Sequence, residues 1–185
     1  VQQHLDLLEA CDYVVFQLEI PLETVVYAAK EASRLGKKVI LDPAPAVPGL
    51  PEELLQSLYL IKPNETELSI LTGRPHDPAR LREDALSLQA RGVKNVLVTL
   101  GGAGSYLLRE DGTEARIPAD STVKVVDTTA AGDSYMGALA VALSQGKDLE
   151  EAARFASRVS DIVVSRPGAQ TSIPSLEELE ESAAQ

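Results

Sequence analysis

The chain has 185 residues, with 17 Lys and Arg against 28 Asp and Glu, for a formal net charge of −11. Its composition, 44% hydrophobic and 24% charged, is that of a folded globular domain and excludes a disordered chain. A sequence pI near 4.6 leaves no basic footprint for a nucleic-acid backbone or an anionic membrane, and the apolar runs are too short for a transmembrane helix.

Short β-branched runs alternate with stretches of helical period, which predicts α/β construction. Residues 13–17 (YVVFQ) read as a buried strand. A helix follows, with Val25, Ala28, Ala29 and Ala32 on one face and Gly36 as its left-handed stop. The next strand is 37–42 (KKVILD), and the Pro-rich segment PAPAVPGLP must be a loop before a short helix over 52–58. A brief strand, YLIKP, runs into a helix that starts at Asn64 and stops at Gly73, and another helix covers 79–91. Strand 95–100, a GGAG turn, SYLLRE, a turn at Asp111 and Gly112, and TEARIP read as strand and hairpin. KVVD, 124–127, is taken as a short strand before a small-residue loop. Two long helices, 132–145 and 149–164 with Asp148 as N-cap, and an acidic, solvated last helix (LEELEES) complete the pattern.

The segment VVDTTAAGDSYMGAL concentrates the chemistry. A helix that opens at Gly132 and Asp133 points its first N–H groups and its positive dipole end at one spot, which suits an anion. Asp133 in that position makes sense if it takes a proton from a hydroxyl while the amides stabilise a transferring phosphoryl group; the alternative is an ordinary cap in a small-residue turn. TLGGAG, with Thr99, Gly101, Gly102 and Gly104, either lets a backbone approach a nucleotide closely or is a plain hairpin turn. Asn64 and Glu67 have the spacing of a capping box and can also position a hydrated Mg²⁺, both at once. Glu19 follows the first strand, where ligands of open α/β sheets collect, or simply precedes a Pro-initiated helix.

Taken in order, QLEIPLE, DPAPA, KPNETE, TLGGAG, VDTTAAGDSYMGAL and RPGAQTSIPS resemble the carboxyl-terminal half of the ribokinase family of sugar kinases, which also contains fructokinases and adenosine kinase. The resemblance implies a ribokinase-like doubly wound, mostly parallel sheet with helices on both faces. It also implies that 1–185 is the carboxyl-terminal part of a single domain lacking the amino-terminal part and lid. Implied too is ATP-dependent phosphorylation of D-ribose at its primary hydroxyl, with Asp133 as base, Ala130, Ala131 and Gly132 as anion hole, and Glu19 toward the sugar. Asn64 and Glu67 would organise Mg²⁺ and phosphates, Thr99 to Gly104 would line the ATP site, and Ser157 would lie near the adenine. A monovalent-cation loop for K⁺ falls on Asp127, Thr129, Val163, Arg166, Gly168 and Ser172.

The family's sugar-binding segments and lid have no counterpart here, so the missing strands are expected to leave apolar edges beside YVVF and KKVILD. A homodimer is expected of the full-length protein through that lid. Arg158 and Asp161 stand where the family carries small residues, and their spacing predicts a pair. Two other readings stay open, a kinase for fructose or a nucleoside and a nucleotide-binding module without turnover. The first residues lack an initiator Met and the apolar core of a signal peptide, so a chain that starts part-way through something is expected. Cys11 stands alone and His4 and His76 are far apart, which excludes a disulfide framework or a Cys/His zinc cluster and makes the cytoplasm the expected compartment.

Overall fold

The structure is a computed structural model that describes residues 1–183. The chain forms two compact units, Val1–Leu100 with Tyr106–Arg116, and Gly101–Ser105 with the chain from Ile117. After a 3₁₀ turn at Gln2–His4 come α1 (Leu5–Glu9), β1 (Tyr13–Phe16), α2 (Leu22–Arg34), β2 (Lys38–Leu41), α3 (Glu52–Leu55), β3 (Leu60–Ile61), α4 (Glu65–Thr72), α5 (Leu81–Ala90) and β4 (Asn95–Thr99). The hairpin strands β5 (Ser105–Leu108) and β6 (Glu114–Ile117) follow.

The six strands make one sheet in the order β1-β2-β3-β4-β5-β6, and β1 through β4 pair in parallel. Connections 100–104 and 109–113 are of hairpin length, too short for a parallel crossover. This mostly parallel sheet with crossover helices is the α/β class expected from the sequence.

Helix α2 forms because its apolar positions recur every three to four residues, and Val25, Val26, Ala28, Ala29 and Ala32 are all buried. Glu23 and Arg34 suit the two ends of its dipole, and Gly36 at φ 74° ends it. That face packs with Leu54, Leu55, Leu88, Val39, Leu41, Ile61, Val96 and Val98 in one core. The alternate strand residues Ile40, Leu60, Leu97 and Leu107 are also 0% exposed, so the strands are buried on both faces, as parallel sheets require.

Two strand expectations change. β1 is half-buried, with Val15 40% exposed, because it is the outermost strand. β2 lies between β1 and β3, so the uncovered edge expected at both strands exists only at β1. Residues 124–127 form no strand. The Val126 and Asp127 N–H groups both donate to the Val164 carbonyl, at 2.7 and 3.2 Å, and Val125 and Val126 are 60% and 54% exposed. The segment's backbone is thus satisfied by a helix end and has no neighbouring strand to build a ladder.

The second unit is built from α6 (Ala131–Ser144), α7 (Leu149–Val164) and α8 (Leu176–Ala183). Asp148 caps α7 by accepting from the Glu150 and Glu151 N–H groups, while Glu151 accepts from the Asp148 N–H at 3.1 Å. Tyr135 of α6 reaches the Ser105 hydroxyl and the Ala153 carbonyl, at 3.2 and 3.3 Å, and burial pushes its phenol up to about 12. The last helix is not wholly solvated, since Leu179 is 6% exposed and packs with Val159 and Val163. Arg158 and Asp161 go to different partners, which corrects the expected pair. Arg158 donates to the Leu179 carbonyl at 3.0 Å, and Asp161 accepts from the Asp120 N–H at 3.3 Å. Among the described residues no helix is long and apolar enough to cross a membrane.

Candidate active site

In the first unit, the carboxyl ends of the parallel strands carry the candidate residues, the place where open α/β sheets bind ligands. Backbone bonds prolong the ladder beyond the strands. The Asp42 N–H donates to Phe16, the Lys62 N–H to Leu41 and the Thr99 N–H to Pro63, at 2.9, 2.9 and 3.0 Å, and Asn64 bridges to Thr99. Asp42, Lys62, Asn64 and Thr99 are thereby lined up along one sheet end, and Glu19 is exposed just past β1.

Asn64 caps α4, and both halves of the capping box form. Asn64 Oδ1 accepts from the Glu67 N–H at 2.9 Å, and Glu67 Oε2 accepts from the Asn64 N–H at 2.7 Å. Burial pushes the Glu67 carboxyl up, with Asp42 adding to the rise and the Asn64 N–H and the Lys62 ammonium opposing it. Sequence reasoning quoted DPAPA and KPNETE but assigned nothing to Asp42 or Lys62. These two form an ion pair at 3.0 Å with both side chains 4% exposed. The available signal was a charged residue placed directly after each of two apolar strand runs.

The donors at the head of α4 are hard oxygens, which suit Mg²⁺. No group of three or more His, Cys, Asp or Glu fit to hold a metal occurs among the described residues, so an ion at Glu67 would keep most of its waters.

In the second unit, Gly101–Ala103 is a 3₁₀ turn closed by the Gly104 N–H on the Gly101 carbonyl at 2.9 Å. Gly101 and Gly102 face open space, so a ligand can approach their backbone. Gly104 is pressed against the 117–119 backbone instead, and its part is structural.

Ala130 begins α6 at φ 62° and ψ 9°, left-handed for a non-glycine residue, a strain of roughly 1–3 kcal/mol. No side chain caps this helix, and Gly132 and Asp133 are exposed in its first turn. The Ala131 N–H donates to the Thr128 carbonyl at 3.2 Å, and the exposed Gly132 in the first turn carries no side chain over its amide, which suits an anion.

Asp127 joins this turn to a second loop. Oδ1 accepts from the Thr129 hydroxyl at 2.7 Å and the Thr129 N–H at 2.9 Å, and Oδ2 accepts from the Gly168 N–H at 3.0 Å. These bonds hold the carboxyl down to about 2. Of the residues expected around a monovalent cation, Asp127, Thr129 and Gly168 are therefore directly linked. The Val163 carbonyl accepts the Arg166 N–H at 3.2 Å, the Arg166 side chain pairs with Glu178 at 3.2 Å, and the buried Ser172 hydroxyl donates to Ala169 at 2.6 Å. An anionic carboxylate that joins these two loops is chemistry that fits a neighbouring cation such as K⁺. Ser157 is 7% exposed on α7.

The lowered Asp127 value means that the staple stabilises fully above the unfolded value of about 3.9 and is lost as pH falls through about 2. An NMR titration of the Asp127 carboxyl should find its midpoint near 2, and Thr129→Val should raise it. A midpoint unmoved by Thr129→Val would contradict the hydroxyl's part.

Residues 2–176 match the sequence profile of the pfkB family carbohydrate kinase. A ribokinase of Schizosaccharomyces pombe is 41% identical over 179 residues, covering 95% of this chain and 56% of that protein. One from Haemophilus influenzae is 40% identical over 168 residues, covering 90% of this chain and 54% of that protein. Among solved structures, Arabidopsis thaliana ribokinase complexed with ribose and ATP superposes with a TM-score of 0.91 at 36% identity, covering 98% of this chain and 58% of that one. The chain spans about half the length of the curated relatives it matches.

Proposed function

Because the chain belongs to the pfkB family of carbohydrate kinases, we propose that it supplies the nucleotide and catalytic part of an ATP-dependent kinase that phosphorylates D-ribose at its primary hydroxyl. In this reading both units belong to the carboxyl-terminal part of one ribokinase-like domain. The observation that carries it is the start of α6, where an exposed Asp133 stands in the first turn of a helix with no side-chain cap. The resemblance of the chain to ribokinases, one of them solved with ribose and ATP, supports the choice of substrates.

Asp133 takes the proton of the primary hydroxyl as its oxygen attacks the γ-phosphorus. The bond to the β,γ-bridging oxygen breaks, and ADP leaves with that electron pair. The turn at Ala130, Ala131 and Gly132, with the Gly132 amide foremost, meets charge on the transferring group, and Ala130's strained backbone holds that turn before the substrate arrives. Asn64 and Glu67 hold the head of α4 toward the phosphates, with Gly101 and Gly102 admitting the nucleotide and Glu19 meeting the sugar. Mg²⁺, when bound, neutralises phosphate charge. Asp127 keeps the 127–129 turn in register with Gly168, next to K⁺ when that ion is present.

The test is an ADP-release assay with ribose, ATP, Mg²⁺ and K⁺. It uses the catalytically competent protein, whether this chain alone or this chain joined to the length its relatives have beyond it. Ribose-dependent ADP release is expected, and release that responds to fructose or a nucleoside but not to ribose would overturn the substrate. K⁺ should activate and Li⁺ should not, because carbonyl ligands spaced for a large ion do not close around a small one. Equal rates in the two salts at matched ionic strength would remove the cation loop from the reading.

A further inference from the structure

Asp161 is a charged residue where the resemblance sets a small one, and the proposed reaction leaves it without a part. It lies on α7, partly buried, one helical turn after Ser157 and therefore on the same side of the helix. Its Oδ2 accepts from the Asp120 N–H at 3.3 Å, while Oδ1 has no hydrogen-bond partner among the described residues. Burial pushes the Asp161 carboxyl up, and the Asp120 charge adds to the rise, so this is an unfavourable place for an anion. Anchoring one loop N–H needs a single acceptor, which a neutral serine, threonine or asparagine supplies without that cost. The loop therefore does not account for the charge or for the second oxygen.

The surroundings of Asp161, all within the second unit, set it beside the glycine turn. Gly104 is pressed against the 117–119 backbone, and Asp120, the next residue, holds Asp161. Ser105, which follows the turn, bonds through its hydroxyl to that of Tyr135 at 3.2 Å, and Tyr135 donates to the Ala153 carbonyl at 3.3 Å. Ala153, Ser157 and Asp161 are four positions apart along α7, so the row they form is tied to the turn at both ends. Gly101 and Gly102 open to space at that same turn.

We propose that Asp161 selects the base of the nucleotide, its unengaged oxygen accepting from the exocyclic amine of adenine and repelling the carbonyl oxygen that guanine or hypoxanthine carries in its place. This rests on the reading of Gly101 and Gly102 as the point where the nucleotide enters. Adenine presents an N–H donor at the position where guanine presents an acceptor. A carboxylate reads guanine with both oxygens at once, on its ring N–H and its amine, and Asp161 has one oxygen already engaged by Asp120. The single acceptor that remains matches the single amine of adenine.

The experiment measures ATP and inosine triphosphate (ITP) binding by calorimetry, and thermal unfolding, in the catalytically competent protein. ITP carries a carbonyl oxygen where ATP has its amine, and ATP should bind on the order of tenfold tighter or more. Asp161→Asn keeps an oxygen for the Asp120 N–H but turns the other acceptor into a donor. Its melting temperature should hold, its ATP affinity fall and its ITP affinity rise, shrinking the preference on the order of tenfold or more. Asp161→Ala, which removes the anchor too, should lower both the melting temperature and ATP affinity. A preference in Asp161→Asn within about twofold of the unsubstituted protein would overturn the proposal and leave Asp161 as an anchor for the Asp120 loop. Equal binding of ATP and ITP by the unsubstituted protein would overturn it as well. If neither nucleotide binds, the reading of the glycine turn itself fails, and base selection falls with it.

Discussion

Asp133→Asn is expected to lower turnover by on the order of 10²- to 10⁴-fold while leaving nucleotide affinity within a few-fold of the unsubstituted protein. Asparagine keeps the shape and the hydrogen-bonding reach of aspartate but cannot accept the hydroxyl proton. Asp133 is exposed in the first turn of α6, so the substitution removes no core packing. The loss should therefore fall on kcat with ribose, with calorimetric binding of ATP as the control. Turnover within a few-fold would assign proton removal to another group. A parallel collapse of ATP binding would mean that the carboxylate shapes the anion site instead of acting as its base.

A large stability loss is expected at Gly104. Its φ is +88°, and a Cβ there would lie 2.0 Å from the Ile117 carbonyl oxygen, 2.7 Å from the Ala119 nitrogen and 2.9 Å from the Pro118 carbonyl carbon. All three are backbone atoms, which cannot rotate aside as a flexible side chain can. A left-handed conformation in a residue with a Cβ costs roughly 1–2 kcal/mol, and forcing atoms into filled space about 1–3 more. Gly104→Ala should therefore destabilise by about 2–5 kcal/mol in urea unfolding. Gly102→Ala is the matched control, because it has open space and no left-handed φ, and it should stay within about 0.5 kcal/mol. Equal stability of the two variants would show that the approach of residue 104 to the 117–119 backbone is not held in solution.

Features set by neighbouring residues were legible without the fold. The burial of Val25, Ala28, Ala29 and Ala32 follows from their spacing, because a helix brings such positions to one side wherever it is placed. The caps at Asn64 and Asp148 and the left-handed stops at Gly36 and Gly73 are likewise closed by bonds that reach only a few residues. The turn before α6 was legible for the same reason, since small residues followed by Gly132 and Asp133 define a helix start by local chemistry.

The sequence alone therefore determined most of the element types, the caps of α4 and α7 and the candidate status of Asn64, Glu67 and Asp133, all through interactions within a turn or two. Tertiary structure decided the rest. KVVD has the β-branched content of a strand, but a strand also needs a neighbour, and the Val126 and Asp127 N–H groups go to the Val164 carbonyl at a helix end instead. Arg158 and Asp161 have helical pairing distance, yet the Leu179 carbonyl and the Asp120 N–H claim them first. Asp127 reaches Gly168, 41 positions away, through the packing of two loops that no local pattern records. Asp42 and Lys62 carry no role that the sequence pattern assigns. Only the parallel register of β2 and β3, pairing Leu41 with Ile61, brings them side by side in a place without water, where each charge requires the other.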